Sequence, residues 1–179
     1  MKQFETLVAN YQAYTMENDG RQAPRKGINS GNVGRLFEAK VAEAMNCTNR
    51  KTICQGSYCV DVRKKAPDGH YIKYECKTGF GELGRMTDKG AKIASDNNDY
   101  IIYCMDVDLY NPLNGAYIVD AKIFINTLLE LDGIKFDPKR NRFKFKSDCK
   151  TQRARIETAL EAGNAELLVD YIERKGWLS

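Results

Sequence analysis

Two carboxylates and a lysine, Asp61, Glu75 and Lys77, occur at spacings in the sequence that could bring them into one site. Between them, Pro67-Asp68-Gly69 has the composition of a three-residue hairpin loop, in which a type I turn is followed by a left-handed glycine. The register set by this loop places Asp61 opposite Glu75, and Lys77 follows two residues later on the same strand face. The sequence therefore predicts that these three side chains share one face of a β-hairpin.

The other face of the predicted hairpin is apolar and suits the core; it carries Val60, Val62, Ile72, Tyr74 and Cys76. A register shift of one residue would bury the charged face instead, so packing specifies the register. Two carboxylates about 5 Å apart repel each other unless a positive charge lies between them. A hard cation such as Mg²⁺, held by one or two carboxylates and by water, removes that repulsion and can activate a bound water. Lys77 could orient that water or offset developing negative charge.

The acidic-x-lysine spacing is by itself common in this chain. It occurs six times, beginning at Glu38, Glu75, Asp120, Asp137, Asp148 and Glu173. Only Glu75 ends a predicted strand with an aspartate opposite it, so the hairpin register carries the prediction. The alternative for this cluster is a solvated group of salt bridges on an exposed hairpin face.

With this hairpin the chain resembles the restriction-endonuclease-like nuclease superfamily, which is named for its PD-(D/E)xK motif. In that family an aspartate on the second core strand precedes an acidic-x-lysine triplet on the third, as Asp61 precedes Glu75-Cys76-Lys77 here. Val60 replaces the proline of the motif, which many members also lack. The family often adds a glutamate on the preceding helix, and Glu38 is the matching acid. The predicted order of helix, three strands, helix and strand over about residues 33–105 matches the αβββαβ core of the family.

The resemblance implies a Mg²⁺-dependent nuclease, acting on DNA as an endonuclease, with Mn²⁺ as a substitute metal. Asp61, Glu75 and the backbone carbonyl of Cys76 would bind the metal. Glu38 would support that metal or a second ion, and Lys77 would activate water. Small enzymes that cut both strands of a duplex are commonly two-fold symmetric, so a homodimer is expected.

The segment 135–155 is strongly basic, with nine cationic and two acidic residues in a chain of net charge +4. Such clustering is typical of a surface that binds a polyanion, and we expect it to contact phosphates rather than bases. The residues predicted to bind nucleic acid are Arg140, Arg142, Lys144 and Lys146. A solvated charged face is the alternative for this segment.

The length of 179 residues and an apolar share of 42% fit a single globular domain. The pattern predicts an α/β fold, in which a mixed central sheet is flanked by helices and followed over about 120–179 by a basic strand and helical additions. The predicted helices are 2–16, 33–46 with Asn32 as its N-cap, 85–96, 121–131, 149–162 and 164–175. The predicted strands are 51–54, 59–65, 70–77, 99–105, 116–119 and 141–146.

The composition also excludes several classes of site. The six cysteines form no CxxC pair and there is one histidine, which argues against a zinc site and against a Ser-His or Cys-His hydrolase. No signal peptide or apolar membrane span is evident, so we expect a cytoplasmic protein with reduced thiols and no membrane partner.

Two other functions fit part of the sequence. Residues 79–84 spell GxGxxG after a strand, which is the pattern of a dinucleotide-binding loop, but the preceding strand alternates charged residues where a central parallel strand would be apolar. A catalytically inactive module, such as an inhibitor or accessory factor that binds nucleic acid or protein, could use the same fold. The intact acidic pair and its lysine argue against that alternative.

Overall fold

The computed structural model describes residues 30–49, 60–79, 96–108, 111–131, 134–137, 142–145 and 149–177. The predicted helix 2–16, the predicted strand 51–54 and nearly all of the predicted helix 85–96 lie outside these ranges. Arg140 and Lys146 also lie outside them.

The described elements are four helices and eight strands. The helices are α1 (Ser30–Ala44), α2 (Ala121–Glu130), α3 (Cys149–Ala162) and α4 (Leu168–Arg174). The strands are β1 (Thr48–Asn49), β2 (Val62–Lys65), β3 (Tyr71–Thr78), β4 (Tyr100–Cys104), β5 (Ala116–Asp120), β6 (Ile134–Asp137), β7 (Arg142–Phe145) and β8 (Glu166–Leu167).

The sheet is mixed, as predicted, and has the strand order β1-β2-β3-β4-β5-β8. The pair β3 and β4 is parallel, whereas every other neighbouring pair in this sheet is antiparallel. Strands β6 and β7 form a separate antiparallel hairpin. The α/β class is therefore confirmed, with β3 in the interior of the sheet.

Helices cover both faces of this sheet. Tyr74 and Cys76 of β3 pack on one face with Phe37 of α1 and Tyr171 of α4. On the other face, strands β4 and β5 pack against α2 and α3; this core includes Ile101, Tyr103, Val119, Phe124, Ile125, Ile156 and Leu160. Because side chains alternate along a strand, Glu75 and Lys77 belong to this second face, where they pair in register with Ile101 and Tyr103.

Several predicted boundaries are confirmed and others are wrong; the strand predicted over 59–65, for example, begins at Val62. Helix α3 has the predicted bounds, and α2 ends one residue early. Helix α1 begins at Ser30, so Asn32 lies inside the helix and is not its N-cap. The predicted helix 164–175 is shorter because Glu166 and Leu167 pair with β5 before α4 begins. Among the described helices, none has both the length and the apolar character needed to span a membrane.

Candidate active site

The hairpin loop between β2 and β3 has the predicted geometry. The Ala66 N–H donates to the His70 carbonyl at 2.8 Å, and the Gly69 N–H donates to the Ala66 carbonyl at 2.9 Å. Gly69 has a φ of +93°, in the left-handed region that the loop requires. The resulting register pairs Lys65 with Tyr71 and continues to Val62 with Tyr74. The register predicted from Pro67-Asp68-Gly69 is confirmed over these four residue pairs.

Asp61 lies immediately before β2, where the paired strands end. Its N–H donates to the Tyr74 carbonyl at 3.1 Å. Its Oδ2 accepts the backbone N–H of Cys76 at 2.9 Å. The carboxylate thus takes the place of a strand partner, and the ladder ends one residue short of the predicted Asp61–Glu75 pair. This hydrogen bond holds the carboxylate against the residue that separates Glu75 from Lys77.

Glu75 and Lys77 form a largely buried ion pair. Their side chains are only 6% and 15% exposed, respectively. Asp61 is also buried, at 5% exposure for the whole residue. The alternative of a solvated salt-bridge cluster on an exposed face therefore does not describe these residues. Taking carboxylates out of water is costly, which makes their burial here informative.

Four charged groups act electrostatically on the buried thiol of Cys76. Burial is the main cause that raises the pKa of this thiol well above 9.0, and the negative charges of Asp61, Glu38 and Glu75 raise the pKa further. The positive charge of Lys77 lowers it. Glu38 lies on the helix that precedes the hairpin, as predicted, and its charge acts on the same thiol. It follows Phe37, a fully buried residue that anchors α1 to this part of the sheet.

The backbone of Cys76 is turned toward the same side as Asp61. Along β3, the Tyr74 carbonyl faces Asp61, whereas the Lys73 carbonyl accepts the Asp99 N–H and faces β4. Because this direction alternates with each residue, the Cys76 carbonyl points to the β2 side, together with its N–H. The carbonyl and the Asp61 carboxylate therefore share the edge of β3 at which pairing with β2 ends.

The donor set at this edge consists of oxygen atoms. Within the described ranges, no three or more His, Cys, Asp and Glu side chains are grouped so that they could hold a metal ion. What the site offers instead is two buried carboxylates, Asp61 and Glu75, and the carbonyl of Cys76. Mg²⁺ commonly binds proteins through one or two carboxylates and keeps several waters, so these donors fit that ion.

The other predicted site residues are placed in part. Arg142 and Lys144 lie on β7, where the register pairs them with Asp137 and Lys135. Of the GxGxxG segment, Gly79 is described, and its carbonyl accepts the Tyr103 hydroxyl at 3.0 Å. That contact was not predicted from the sequence. The contact depends on the parallel pairing of β3 with β4, which places Tyr103 beside Lys77.

No protein-family model matches the chain, and no curated protein matches its sequence. The interpretation of this site therefore depends on its geometry and on the motif that its residues resemble.

Proposed function

We propose that this protein is a metal-dependent nuclease with a restriction-endonuclease-like core, and that it cuts DNA as an endonuclease. The observation that carries the proposal is the burial of Asp61, Glu75 and Lys77 around Cys76, where β2 separates from β3. Buried charges with a specific arrangement are found preferentially at functional sites, because a structural role is served as well by apolar residues.

The charges that act at this site favour a cation as its ligand. Among the groups that influence the Cys76 thiol, three are carboxylates, and Lys77 is the one that opposes them. An excess of negative charge in a buried place favours the binding of a cation.

The residues of the chain have distinct tasks in this proposal. Asp61, Glu75 and the Cys76 carbonyl would hold Mg²⁺, with Glu38 as support. When bound, the ion polarises a phosphoryl oxygen and lowers the pKa of its water. The Cys76 N–H fixes the orientation of the Asp61 carboxylate. Lys77, held in place by Glu75, orients the attacking water or offsets the negative charge that develops on the phosphoryl group.

A cleavage assay with a matched control tests the proposal. Supercoiled plasmid and single-stranded DNA are incubated with the protein in Mg²⁺, Mn²⁺ or EDTA. We expect cleavage in either metal and none in EDTA, with a loss of at least about 100-fold in Glu75→Gln and in Lys77→Met. Glu173→Gln provides the control, because it has the same acidic-x-lysine spacing but is exposed on α4; it should cleave like the wild type.

Two outcomes would overturn the proposal. One is the absence of metal-dependent cleavage by the wild-type protein, and the other is unchanged cleavage by Glu75→Gln and Lys77→Met. Binding of DNA without cleavage would instead indicate the catalytically inactive module. Sedimentation of the active protein tests the homodimer that we also propose.

A further inference from the structure

The face of the hairpin that carries Glu75 and Lys77 continues into an exposed basic surface. Register pairs Arg63 with Lys73 and Lys65 with Tyr71, and strand alternation places all four on the same face as Glu75. Lys65 and Lys73 are exposed, and Tyr71 is 41% exposed. We call these four residues, Arg63, Lys65, Tyr71 and Lys73, the basic track.

The cations of the track are not neutralised within the described part of the chain. Arg63, Lys65 and Lys73 form no ion pair with any of the described residues. Asp99 lies beside the track, and its carboxylate accepts the backbone N–H of Lys73 at 2.8 Å. Arg63 and Lys73 stand directly opposite each other, an arrangement of like charges that weakens a strand pair. An anionic ligand across this face would remove the repulsion.

Lys64, between Arg63 and Lys65, is a lysine of the same strand whose charged group has a structural role. It lies on the opposite face, donates to the Met45 carbonyl at 2.5 Å and stands 4.6 Å from the centre of the Trp177 ring. The cation of Lys64 is thus used in packing. The track cations have no comparable role, apart from the contact between Arg63 and Tyr71.

The contact with Tyr71 orients the Arg63 guanidinium for binding a phosphate. Its guanidinium carbon lies 4.4 Å from the centre of the Tyr71 ring, so the ring fixes the plane of the head group. The Arg63 Nε is buried and has no hydrogen-bond partner among the described residues. A planar guanidinium matches the geometry of a phosphate.

We propose that the basic track binds backbone phosphates of the DNA strand that enters the Asp61–Glu75 site. This inference rests on the proposed function of that site. At about 3.3 Å per residue, Lys73 and Tyr71 lie roughly 7 and 13 Å from Glu75 along β3. With a rise of about 3.4 Å per nucleotide on one strand, the track spans the first four or so nucleotides beside the bond that is cut. The contacts position DNA and carry no sequence information.

Binding in EDTA tests the track separately from catalysis. The full-length protein is titrated into fluorescein-labelled duplex or single-stranded DNA, and anisotropy is followed over a range of salt. We expect the double variant Lys65→Glu/Lys73→Glu to bind DNA about tenfold more weakly. Its affinity should also depend less steeply on salt, by the equivalent of about one to two phosphate contacts. Arg63→Gln should weaken binding in the same direction. Lys175→Glu is the control, since Lys175 is exposed at the C-cap of α4, which covers the opposite face, and it should bind like the wild type.

The result that overturns the inference is wild-type affinity in the double variant, or no binding of either DNA by the wild-type protein. An equal loss of poly-glutamate binding would also overturn it, because the surface would then accept any polyanion. The two DNA forms distinguish duplex from single-strand phosphates as the source of the ligand. A wild-type protein that binds DNA through the track but does not cut it would refute the nuclease proposal and leave the track in place.

Discussion

The backbone N–H of Cys76 donates a hydrogen bond of 2.9 Å to Oδ2 of Asp61. This bond joins Asp61, which precedes β2, to β3 at Cys76, the residue between Glu75 and Lys77. The carboxylate serves as an acceptor for β3 at the position where β2 no longer supplies one. Asp61 therefore has a structural task and a proposed chemical one, and substitutions can separate them.

Asp61→Asn and Asp61→Ala should differ in stability and agree in activity. Asparagine keeps an oxygen that can accept the Cys76 N–H, whereas alanine leaves this buried donor without its acceptor, at a cost of about 1–3 kcal/mol. Both variants lose the negative charge, so both should lose metal-dependent cleavage. Urea denaturation compares their free energies of unfolding. Equal stability of the two variants would show that the hydrogen bond contributes little to the fold.

The Glu75–Lys77 pair should show strong coupling in a double-mutant cycle. Lys77→Met leaves the buried Glu75 carboxylate without its lysine, which should destabilise the protein by roughly 3–5 kcal/mol. Glu75→Gln/Lys77→Met removes both charges and should recover much of that loss. The exposed pair of Lys40 and Glu43, with a separation of 2.7 Å, is the control, and Lys40→Met should change the stability far less. Additive effects at residues 75 and 77 would contradict a buried pair.

The thiol of Cys104 should make the stability depend on pH above neutrality. Burial raises its pKa from 9.0 to about 11. Above about pH 9 the unfolded chain loses this proton while the folded chain keeps it, so the contribution of the thiol to stability is complete below that pH and is lost as the pH rises through about 11. The difference in unfolding free energy between wild type and Cys104→Ala should therefore shift against the wild type between about pH 8 and pH 11. A difference that is constant over this range would show that the thiol titrates normally in the folded protein.

Gly163 should resist substitution for lack of space. A Cβ atom on Gly163 would lie 2.2 Å from Cγ2 of Val119, a buried residue of β5. Gly163→Ala should cost about 1–3 kcal/mol in stability, because the core must move to admit a methyl group. Val119→Ala creates that space, so the double variant should be more stable than the sum of the single effects implies. Thermal denaturation of the three variants measures this, and simple additivity would argue against the close approach.

Local patterns in the sequence were sufficient to predict much of the secondary structure. Pro67-Asp68-Gly69 specified the turn and the register of the hairpin, because both depend on neighbouring residues. Gly163 marked the end of α3 for the same reason. The sequence did not reveal that Gly163 touches Val119, which lies on a strand far away in the chain. Sequence patterns indicate where a helix or strand ends more readily than they indicate the tertiary contacts that require it to end there.

The parts of the site that could not be predicted depend on which strands become neighbours. The hydrogen bond from the Cys76 N–H to the Asp61 carboxylate forms because β2 stops pairing with β3 at Val62. No residue type in the sequence indicates where this pairing ends. The bond from Tyr103 to Gly79 needs β4 to lie parallel to β3. The start of α1 at Ser30 was missed because Asn32, which was predicted to be the capping residue, lies inside the helix.

The hydroxyl contact between Tyr74 and Tyr171 has a consequence for the order of folding. These two buried side chains meet at 3.2 Å although 97 positions separate them in the sequence. Contacts of such long range slow folding, since the entropy of closing the loop is lost before the contact forms. During synthesis, the strand that carries Glu75 leaves the ribosome well before the helix that covers its other side. The packing around β3 is thus completed late, and the nascent chain carries the charged residues of β3 for a time without the contacts that align them.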